Sequence, residues 1–397
     1  MVVHRSLPEY QPTPLVTLPA RARELGVGGV VVKDESHRYG LKAFKALGST
    51  YAIYRFVRRH LESNGRSCPQ AESFYQEVAL PPGAFTFCTA TDGNHGRGVA
   101  WVARKLRQQA VIYMPANSAP ARIENIRKEN AEVVVVDGSY DDAVVRCAED
   151  AQARGWQIIS DTSWTGYEEI PRWVQAGYLT MFNEIHAAGD VPIDVVIVPA
   201  GVGALAAAAA WYYNRVYPPP RPKLVSVEPV GADCMLQSII SESGEPVSIK
   251  GELTSIMAGL NCGTPSPVAW PFMKLGYDLF MTVTDDDARE AMRVYFRSTV
   301  SKPPFGFAQD RRGFRPIEED HDRPHDIARP HGDDPRIISG ESGAATLAAL
   351  MTLCRHSSFA EARDFLNLSP TSRVLLLNTE GDTDPEGFRE IVSQRSL

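Results

Sequence analysis

The stretch DVVIVPAGVGALAAAAAWYY, residues 194–213, contains the pattern of a strand, a glycine turn and a helix in immediate succession. Residues 194–199 form a short β-branched run, and an alanine-rich helical pattern follows the turn. Gly201 and Gly203 allow the backbone to turn tightly between the two. Units of this kind build parallel sheets, whose ligands bind at the carboxyl ends of the strands.

The same alternation of short apolar runs and amphipathic patterns continues along most of the 397 residues. It predicts an α/β protein with two domains, each a mainly parallel sheet flanked by helices. The predicted strands are 29–34, 85–89, 110–114, 132–136, 157–160, 194–199, 223–229 and 373–378. The predicted helices include 96–109, 120–130, 141–155 and 171–189.

Charge and composition exclude several classes of protein. The chain has 41 Lys and Arg residues against 48 Asp and Glu residues, a net charge of −7, and its basic residues form no run. This distribution argues against nucleic acid as a partner. No apolar stretch reaches the length of about 18 residues that suggests a membrane span, and the N-terminal residues lack the apolar core of a signal peptide. We therefore expect a cytoplasmic protein with no membrane or nucleic-acid partner.

The six cysteines are scattered along the chain without CxxC spacing. This arrangement argues against a zinc site or the disulfide framework of a secreted protein. Cys234 and Cys262 lie in turn-rich sequence where they can come close together. Whether they pair or stay as two free thiols is left open by the sequence.

One segment, residues 303–333, breaks the α/β pattern. It is rich in Pro, Gly and charged residues and has no period, which predicts a surface insertion rather than core. Its histidines at 321, 325 and 331 are interspersed with Pro and Arg, so we do not expect a metal site there.

A candidate nucleophile follows the strand at 29–34, in ESHRYGLKAFKALGSTYAIYRF. A single lysine near a helix start is most often a solvated side chain, and here Lys42 and Lys45 compete for any chemical role. Lys45 lies between Phe44 and Ala46, an apolar setting that is expected to lower the pKa of its amine and make it nucleophilic. Lys45 is therefore the preferred candidate.

The turn after residues 194–199 predicts a phosphate site. Its residues are Gly201, Val202, Gly203 and Ala204, and the helix that follows directs free N–H groups outward. Small residues are also required where a helix packs closely on a sheet, so this signal alone is weak. The GxGxxG spacing is absent, which favours a single phosphate over a dinucleotide.

A second loop, TATDGNHGRG at 89–98, combines groups with opposite preferences. Asn94 can donate a hydrogen bond to a phenolic or carbonyl oxygen, and the backbone amides of 91–96 can hold a carboxylate. Asp92 would repel that same carboxylate. The loop therefore predicts a ligand that also carries a positive charge.

Two further polar residues follow predicted strands. Asp161 lies in SDTS, where the pattern on its own is also that of a turn cap. Thr379 lies in LLLNTEGDTD, residues 375–384, where its hydroxyl can meet a neutral ring nitrogen.

A lysine, a phosphate turn, an asparagine loop and a late hydroxyl together describe a pyridoxal-phosphate site. The chain resembles the tryptophan-synthase-like (fold type II) pyridoxal-phosphate enzymes, and among them the ammonia-lyases that act on 2,3-diaminopropionate. Only the insertion at 303–333 departs from the family pattern. The resemblance rests on 33–52, 89–101, 160–178, 200–206, 228–234, 255–267, 334–344 and 378–384.

The resemblance implies a role for each candidate residue. Lys45 is expected to bind the cofactor covalently and Asn94 to contact its O3′, while Thr379 lies near its pyridine nitrogen. Asp92 and Asp161 are expected to be the active-site aspartates. The phosphate is expected at Gly201, Val202, Gly203 and Ala204.

The resemblance also implies a homodimer and a division into domains. The large domain is expected to comprise residues 1–62 and 158–397, and the small domain residues 63–157.

The activity implied is that of a carbon–nitrogen lyase that eliminates ammonia from 2,3-diaminopropionate and yields pyruvate. A serine or threonine dehydratase on the same scaffold is the alternative, although a hydroxyl leaving group gains nothing from two extra carboxylates. A non-catalytic amino-acid-binding protein is a more remote alternative, and the presence of Lys45 speaks against it, because binding alone does not need a covalent link.

Overall fold

A computed structural model describes residues 2–189, 192–217, 219–249, 253–297 and 334–394. The predicted insertion at 303–333, with its histidines, lies outside these residues. Among the described residues, no helix has both the length and the apolar character needed to cross a membrane.

Two sheets organise the described part of the chain. The strands are β1 Leu15–Thr17, β2 Gly29–Asp34, β3 Thr86–Ala90, β4 Gln109–Pro115, β5 Glu132–Val136, β6 Gln157–Ile158, β7 Val195–Pro199, β8 Lys223–Pro229, β9 Leu279–Val283 and β10 Arg373–Asn378. The helices are α1 Pro19–Leu25, α2 Ala46–Ser63, α3 Phe74–Glu77, α4 Asn94–Lys105, α5 Pro120–Arg127, α6 Tyr140–Arg154, α7 Glu169–Ala187, α8 Ala204–Val216, α9 Cys234–Ile240, α10 Trp270–Gly276, α11 Asp285–Phe296, α12 Glu341–Arg355, α13 Ala360–Leu366 and α14 Pro385–Ser393.

The larger sheet has six strands in the order β1-β2-β10-β7-β8-β9. All its neighbouring strands are parallel except the edge strand β1, which runs antiparallel to β2. Successive residues of β7 point to opposite faces: Val195 and Ile197 pack into one apolar cluster, Val196 and Val198 into another. Helices therefore cover both faces, as the unbroken apolar runs of the strands require.

The smaller sheet has four parallel strands in the order β5-β4-β3-β6. One apolar cluster joins the two sheets, since it contains Val99 and Ile112 as well as Val196 and Leu375. The site therefore rests on a core common to both sheets. The predicted domain division at 63 and 157 stays a prediction, because the strands give the bounds of a sheet and not those of a domain.

Each predicted strand is present, with ends that differ by two residues at most. The short edge strand β1 and the strand β9 were not predicted. β1 has only three residues and no alternation long enough to read, and β9 contains Thr282 within an otherwise apolar run.

Helix α2, which follows Lys45, lies against α7 in unusually close contact. A Cβ atom added to Gly177 of α7 would lie 2.5 Å from the carbonyl oxygen of Leu47 in α2. The two backbones can approach this closely only because residue 177 has no side chain. The crossing fixes the first turn of α2, and with it the backbone of Lys45.

Gly177→Ala is expected to destabilise the protein by about 1–3 kcal/mol, because the added methyl group forces the two helices apart. In an uncrowded helix the same change would stabilise by about 1 kcal/mol, so the sign is informative. Thermal unfolding of the variant and the parent checks this. An unchanged or raised melting temperature would contradict the close crossing.

Candidate active site

A cleft opens at the carboxyl ends of β3, β6, β7 and β10, where parallel α/β sheets place their ligands. The structure brings every site residue predicted from the sequence to this one cleft. These residues are Lys45, Asp92, Asn94, Asp161, Gly201, Val202, Gly203, Ala204 and Thr379.

Lys45 immediately precedes α2 and forms an ion pair with Asp161. Its Nζ lies 2.5 Å from Asp161 Oδ2. Burial lowers the pKa of the Lys45 amine, but the Asp161 carboxylate outweighs burial and holds the pKa above its usual range. The predicted lowering of this pKa is therefore wrong. The sequence shows the apolar neighbours of Lys45 but not the carboxylate that reaches it from β6.

Lys42 is held away from the cleft. Its backbone has a positive φ of 59°, and its Nζ donates to Asp382 Oδ1 at 2.7 Å. The side chain of Lys42 is 45% exposed, against 17% for Lys45. Of the two lysines that compete in the sequence, only Lys45 lines the cleft.

Asp161 follows β6 and is buried. Burial alone would raise the pKa of its carboxyl, but His95 and Lys45 together hold that pKa well below its usual range. The N-cap residue of the next helix, α7, is Glu168. The Asp161 side chain therefore serves the cleft rather than a helix start.

Asp92 presents a second carboxylate to the cleft. Burial raises its pKa to about 6, against the opposing charge of Arg122 and with a further increase from Asp161. Among the described residues, the carboxylate of Asp92 has no hydrogen-bond or ion-pair partner, whereas Arg122 Nη1 donates to its backbone carbonyl at 3.5 Å. Asp92 is therefore a carboxylate with free lone pairs and a pKa close to neutrality.

Asn94 is the first residue of α4, and Glu380 holds its side chain. The Asn94 amide donates to Glu380 Oε2, and Glu380 Oε1 accepts the backbone N–H of Ser342 at 3.1 Å. The buried carboxylate thus joins the small sheet's helix α4 to α12 of the large sheet. Asn94 is fixed at the cleft by a residue that follows β10.

The turn at 201–204 has the form of a phosphate cradle. Gly203 has a φ of +93°, a conformation in which glycine is favoured. No side chain caps the thirteen-residue helix α8, so the first N–H groups of this helix are available to an anion. The cleft thus combines an uncapped helix start with a partly buried lysine, and these residues fit a phosphate-bearing aldehyde cofactor.

Thr379 is buried at the end of β10 and lines the cleft. Its backbone carbonyl accepts the N–H of Phe44 at 3.2 Å. This bond attaches the residue before Lys45 to the end of the central strand.

Several polar residues of the cleft were not predicted from the sequence, among them His95, Arg122 and Glu380. His95 lies inside the DGNHG loop that was singled out, so its position was a usable signal. Arg122 and Glu380 carry no local signal, because they reach the cleft only through the tertiary fold.

The described cysteines are all free thiols. Cys262 lines the cleft, where its Sγ would lie 3.0 Å from a Cβ added to Gly201. Burial raises the pKa of this thiol to about 12, so it is protonated at neutral pH.

A phosphate cradle, a partly buried lysine and flanking carboxylates on an α/β scaffold define the site of a pyridoxal-phosphate enzyme. The family model described as "Pyridoxal-phosphate dependent enzyme" matches residues 7–299, and the chain belongs to this family. This match confirms the predicted cofactor. The fold class is confirmed by the two parallel sheets and by the solved structures below.

The chain is similar over nearly its whole length to enzymes of one name. It is 36% identical to the diaminopropionate ammonia-lyase of Salmonella typhimurium, over 99% of this chain and 90% of that protein. Identity to the Escherichia coli K12 enzyme of the same name is 38%, over 98% of this chain and 89% of that protein. The predicted resemblance to this group of lyases is confirmed.

The chain is also similar to solved structures of pyridoxal-phosphate enzymes. The Escherichia coli diaminopropionate ammonia lyase in complex with an aminoacrylate–PLP azomethine reaction intermediate matches with a TM-score of 0.81 and 37% identity, over 98% of this chain and 89% of that chain. The threonine deaminase isoform 2 of Solanum lycopersicum, at 19% identity and a TM-score of 0.69 over 99% of this chain and 86% of that chain, shows the fold alone.

Lys45→Ala is expected to abolish the covalent attachment of pyridoxal phosphate, while Lys42→Ala leaves it intact. Of these two lysines, only Lys45 lines the cleft. Borohydride reduction followed by peptide mass spectrometry locates the attached group. A reduced adduct on Lys42, or one that persists in Lys45→Ala, would refute the assignment.

Proposed function

We propose that the protein is a carbon–nitrogen lyase that eliminates ammonia from 2,3-diaminopropionate and yields pyruvate and ammonia. The near-full-length similarity to diaminopropionate ammonia-lyases supports this proposal. The observation that carries it is the Asp92 carboxylate, which is free of partners among the described residues and faces the cleft. Serine has no positive charge at Cβ that could pair with this carboxylate, whereas diaminopropionate has a β-ammonium group there.

Different residues of the cleft would bind different parts of the cofactor. The N–H groups of Gly201, Val202, Gly203 and Ala204 would bind the phosphate of the cofactor at the start of α8. Lys45 would hold the cofactor covalently, and Asn94 and Thr379 would hold its ring. Pyridoxal phosphate supplies the electron sink that stabilises negative charge at Cα of the substrate.

The remaining groups orient the substrate and move protons. The backbone amides of residues 91–96 hold the substrate carboxylate, and Asp92 pairs with the β-ammonium group. Asp92 would remove the Cα proton from one face. The Lys45 amine, set free when the α-amine of the substrate takes its place on the cofactor, would remove it from the other. Asp161 sets the protonation state of Lys45 through the 2.5 Å contact. Bases on opposite faces allow both enantiomers to react.

A dehydratase on the same scaffold stays the alternative. The match to the phenylserine dehydratase of Ralstonia pickettii is 31% identical but covers only 51% of this chain and 58% of that protein. Release of pyruvate from 2,3-diaminopropionate, compared with serine and threonine at equal concentration, tests the proposal. Turnover of serine that exceeds turnover of diaminopropionate would favour the dehydratase.

We propose that the protein is a homodimer, as the family resemblance implies. Exposed apolar side chains on α8 and α10 support this proposal. Leu275 is 82% exposed and Trp211 43% exposed, and both line one surface groove. Large exposed apolar surfaces of this kind commonly lie at protein interfaces.

We also propose a cytoplasmic location and the domain division at residues 63 and 157. The free cysteines support the location. The four strands β3 to β6, which form a sheet of their own, support the division.

Asp92→Asn is expected to depress activity on one enantiomer of diaminopropionate, D by our assignment, by about 10²-fold or more, because the variant lacks the base on that face. Activity on the other enantiomer is expected to fall much less. Steady-state assays on the separate enantiomers measure the ratio. An equal loss on both would mean that Asp92 binds the ammonium group without acting as a base for one face.

The pH dependence of the Asp92-dependent reaction follows from its raised pKa. A base must be ionised, so kcat/KM for that enantiomer is expected to fall as the pH drops through about 6, the pKa that burial gives Asp92. This acidic limb should be absent from the residual activity of Asp92→Asn. A limb retained in the variant would assign the titration to another group or to the substrate.

A further inference from the structure

His95 lies beside the Lys45–Asp161 pair. One of its ring nitrogens is hydrogen-bonded, and the other has no hydrogen-bond partner among the described residues. Its Nε2 is 2.7 Å from the carbonyl oxygen of Ile159. Because a carbonyl oxygen only accepts, Nε2 must carry a hydrogen. In the neutral ring the proton is therefore on Nε2, and Nδ1 has a free lone pair.

The Nδ1 atom is buried and points at the centre of the site. It has no hydrogen-bond partner within the described part of the chain, and it lies 3.8 Å from Asp161 Oδ2. This is the same oxygen that receives the Lys45 ammonium at 2.5 Å. A buried polar atom without a partner is rare in folded proteins and calls for a functional reason.

Lys45 needs a group that takes its proton. A lysine attacks the carbonyl carbon of its cofactor only as a neutral amine. Asp161 holds the pKa of Lys45 above its usual range, so the amine is charged at neutral pH. A proton acceptor within the cleft would therefore speed the attack by Lys45 at neutral pH.

We propose that His95 accepts, through Asp161, the proton that Lys45 releases when it becomes a nucleophile. The proton passes from Lys45 Nζ to Asp161 Oδ2, and from Asp161 Oδ2 to His95 Nδ1. Lys45 ends neutral, Asp161 ends as a carboxylate and His95 ends as an imidazolium, so the total charge is unchanged. A side-chain shift of about 1 Å closes the second gap to hydrogen-bond distance.

Two other titratable groups that face this pair, Tyr178 and Cys262, cannot accept the proton. Burial raises the pKa of Tyr178 and brings that of Cys262 to about 12, so both already hold their protons. Asp92 forms no ion pair with Lys45 among the described residues. Burial lowers the pKa of His95, with Lys45 adding to the effect and Asp161 opposing it, so the ring is neutral while Lys45 is charged.

His95 acts through Asp161, so it is a positioning residue rather than a catalytic one. The inference rests on the proposed role of Lys45 in holding the cofactor. If Lys45→Ala still formed the covalent link, the role of Lys45 would fail, whereas the measurements below address His95 on their own.

The first experiment follows the His95 ring by NMR in the full-length chain without cofactor, with ¹⁵N-labelled histidine. The signal of His95 is assigned by its loss in His95→Gln. In Lys45→Ala, Asp161 has lost its cation, and the pKa of His95 is expected to rise by about one unit or more. A His95 pKa that is unchanged or lower in Lys45→Ala would overturn the proposal.

The second experiment measures the rate at which pyridoxal phosphate attaches to the chain, from its visible absorbance, as a function of pH. His95→Gln keeps a donor for the Ile159 carbonyl but lacks the Nδ1 acceptor. Attachment is expected to slow about tenfold or more at pH 7, and the defect is expected to shrink as the pH rises and solvent removes the proton instead.

His95→Asn is the matched control, because it places an amide near Nδ1 and loses the bond to Ile159. A purely structural role predicts that both variants attach the cofactor more slowly by the same factor at every pH. That result, or attachment of His95→Gln at the parent rate and with the parent pH profile, would overturn the proposal.

Discussion

The contact between Lys45 and Asp161 is the interaction on which the site depends. Lys45 immediately precedes helix α2, and Asp161 follows β6 of the small sheet. A buried charge is costly unless it is paired, so each residue is stable in the cleft only while the other is present. The close α2–α7 crossing at Gly177 and the bond from Phe44 to Thr379 hold the lysine end of the pair in place.

The charge balance of the cleft explains how a loop that contains Asp92 can bind a substrate with a carboxylate group. Asp161 is neutralised by Lys45, and Glu380 is occupied by Asn94 and a backbone amide. Asp92 is the carboxylate left free within the described residues, in a loop whose amides suit a substrate carboxylate. An amino acid with a second amine satisfies both groups, because its carboxylate meets the amides and its β-ammonium group meets Asp92.

The sequence predicted much of this arrangement, because α/β units carry their ligand groups in the loops that follow the strands. Neighbouring residues alone are enough to identify the strands at 194–199 and 373–378, the turn at 201–204 and the DGN loop. The ion pair was out of reach, because its partners are 116 residues apart. For the same reason the predicted direction of the pKa shift of Lys45 was wrong. Glu380 and Arg122 were also missed, since only the fold brings them to the cleft.

We propose that the cleft removes an amino group from Cβ of the substrate. The test is to measure, together, the pyruvate and the ammonia that the wild-type protein with its cofactor releases from 2,3-diaminopropionate. Loss of the β-amine, followed by hydrolysis of the remaining enamine, gives two molecules of ammonia for each pyruvate. We expect this ratio, together with slower release of pyruvate from serine. One ammonia per pyruvate, or serine as the faster substrate, would show that the proposed activity is wrong.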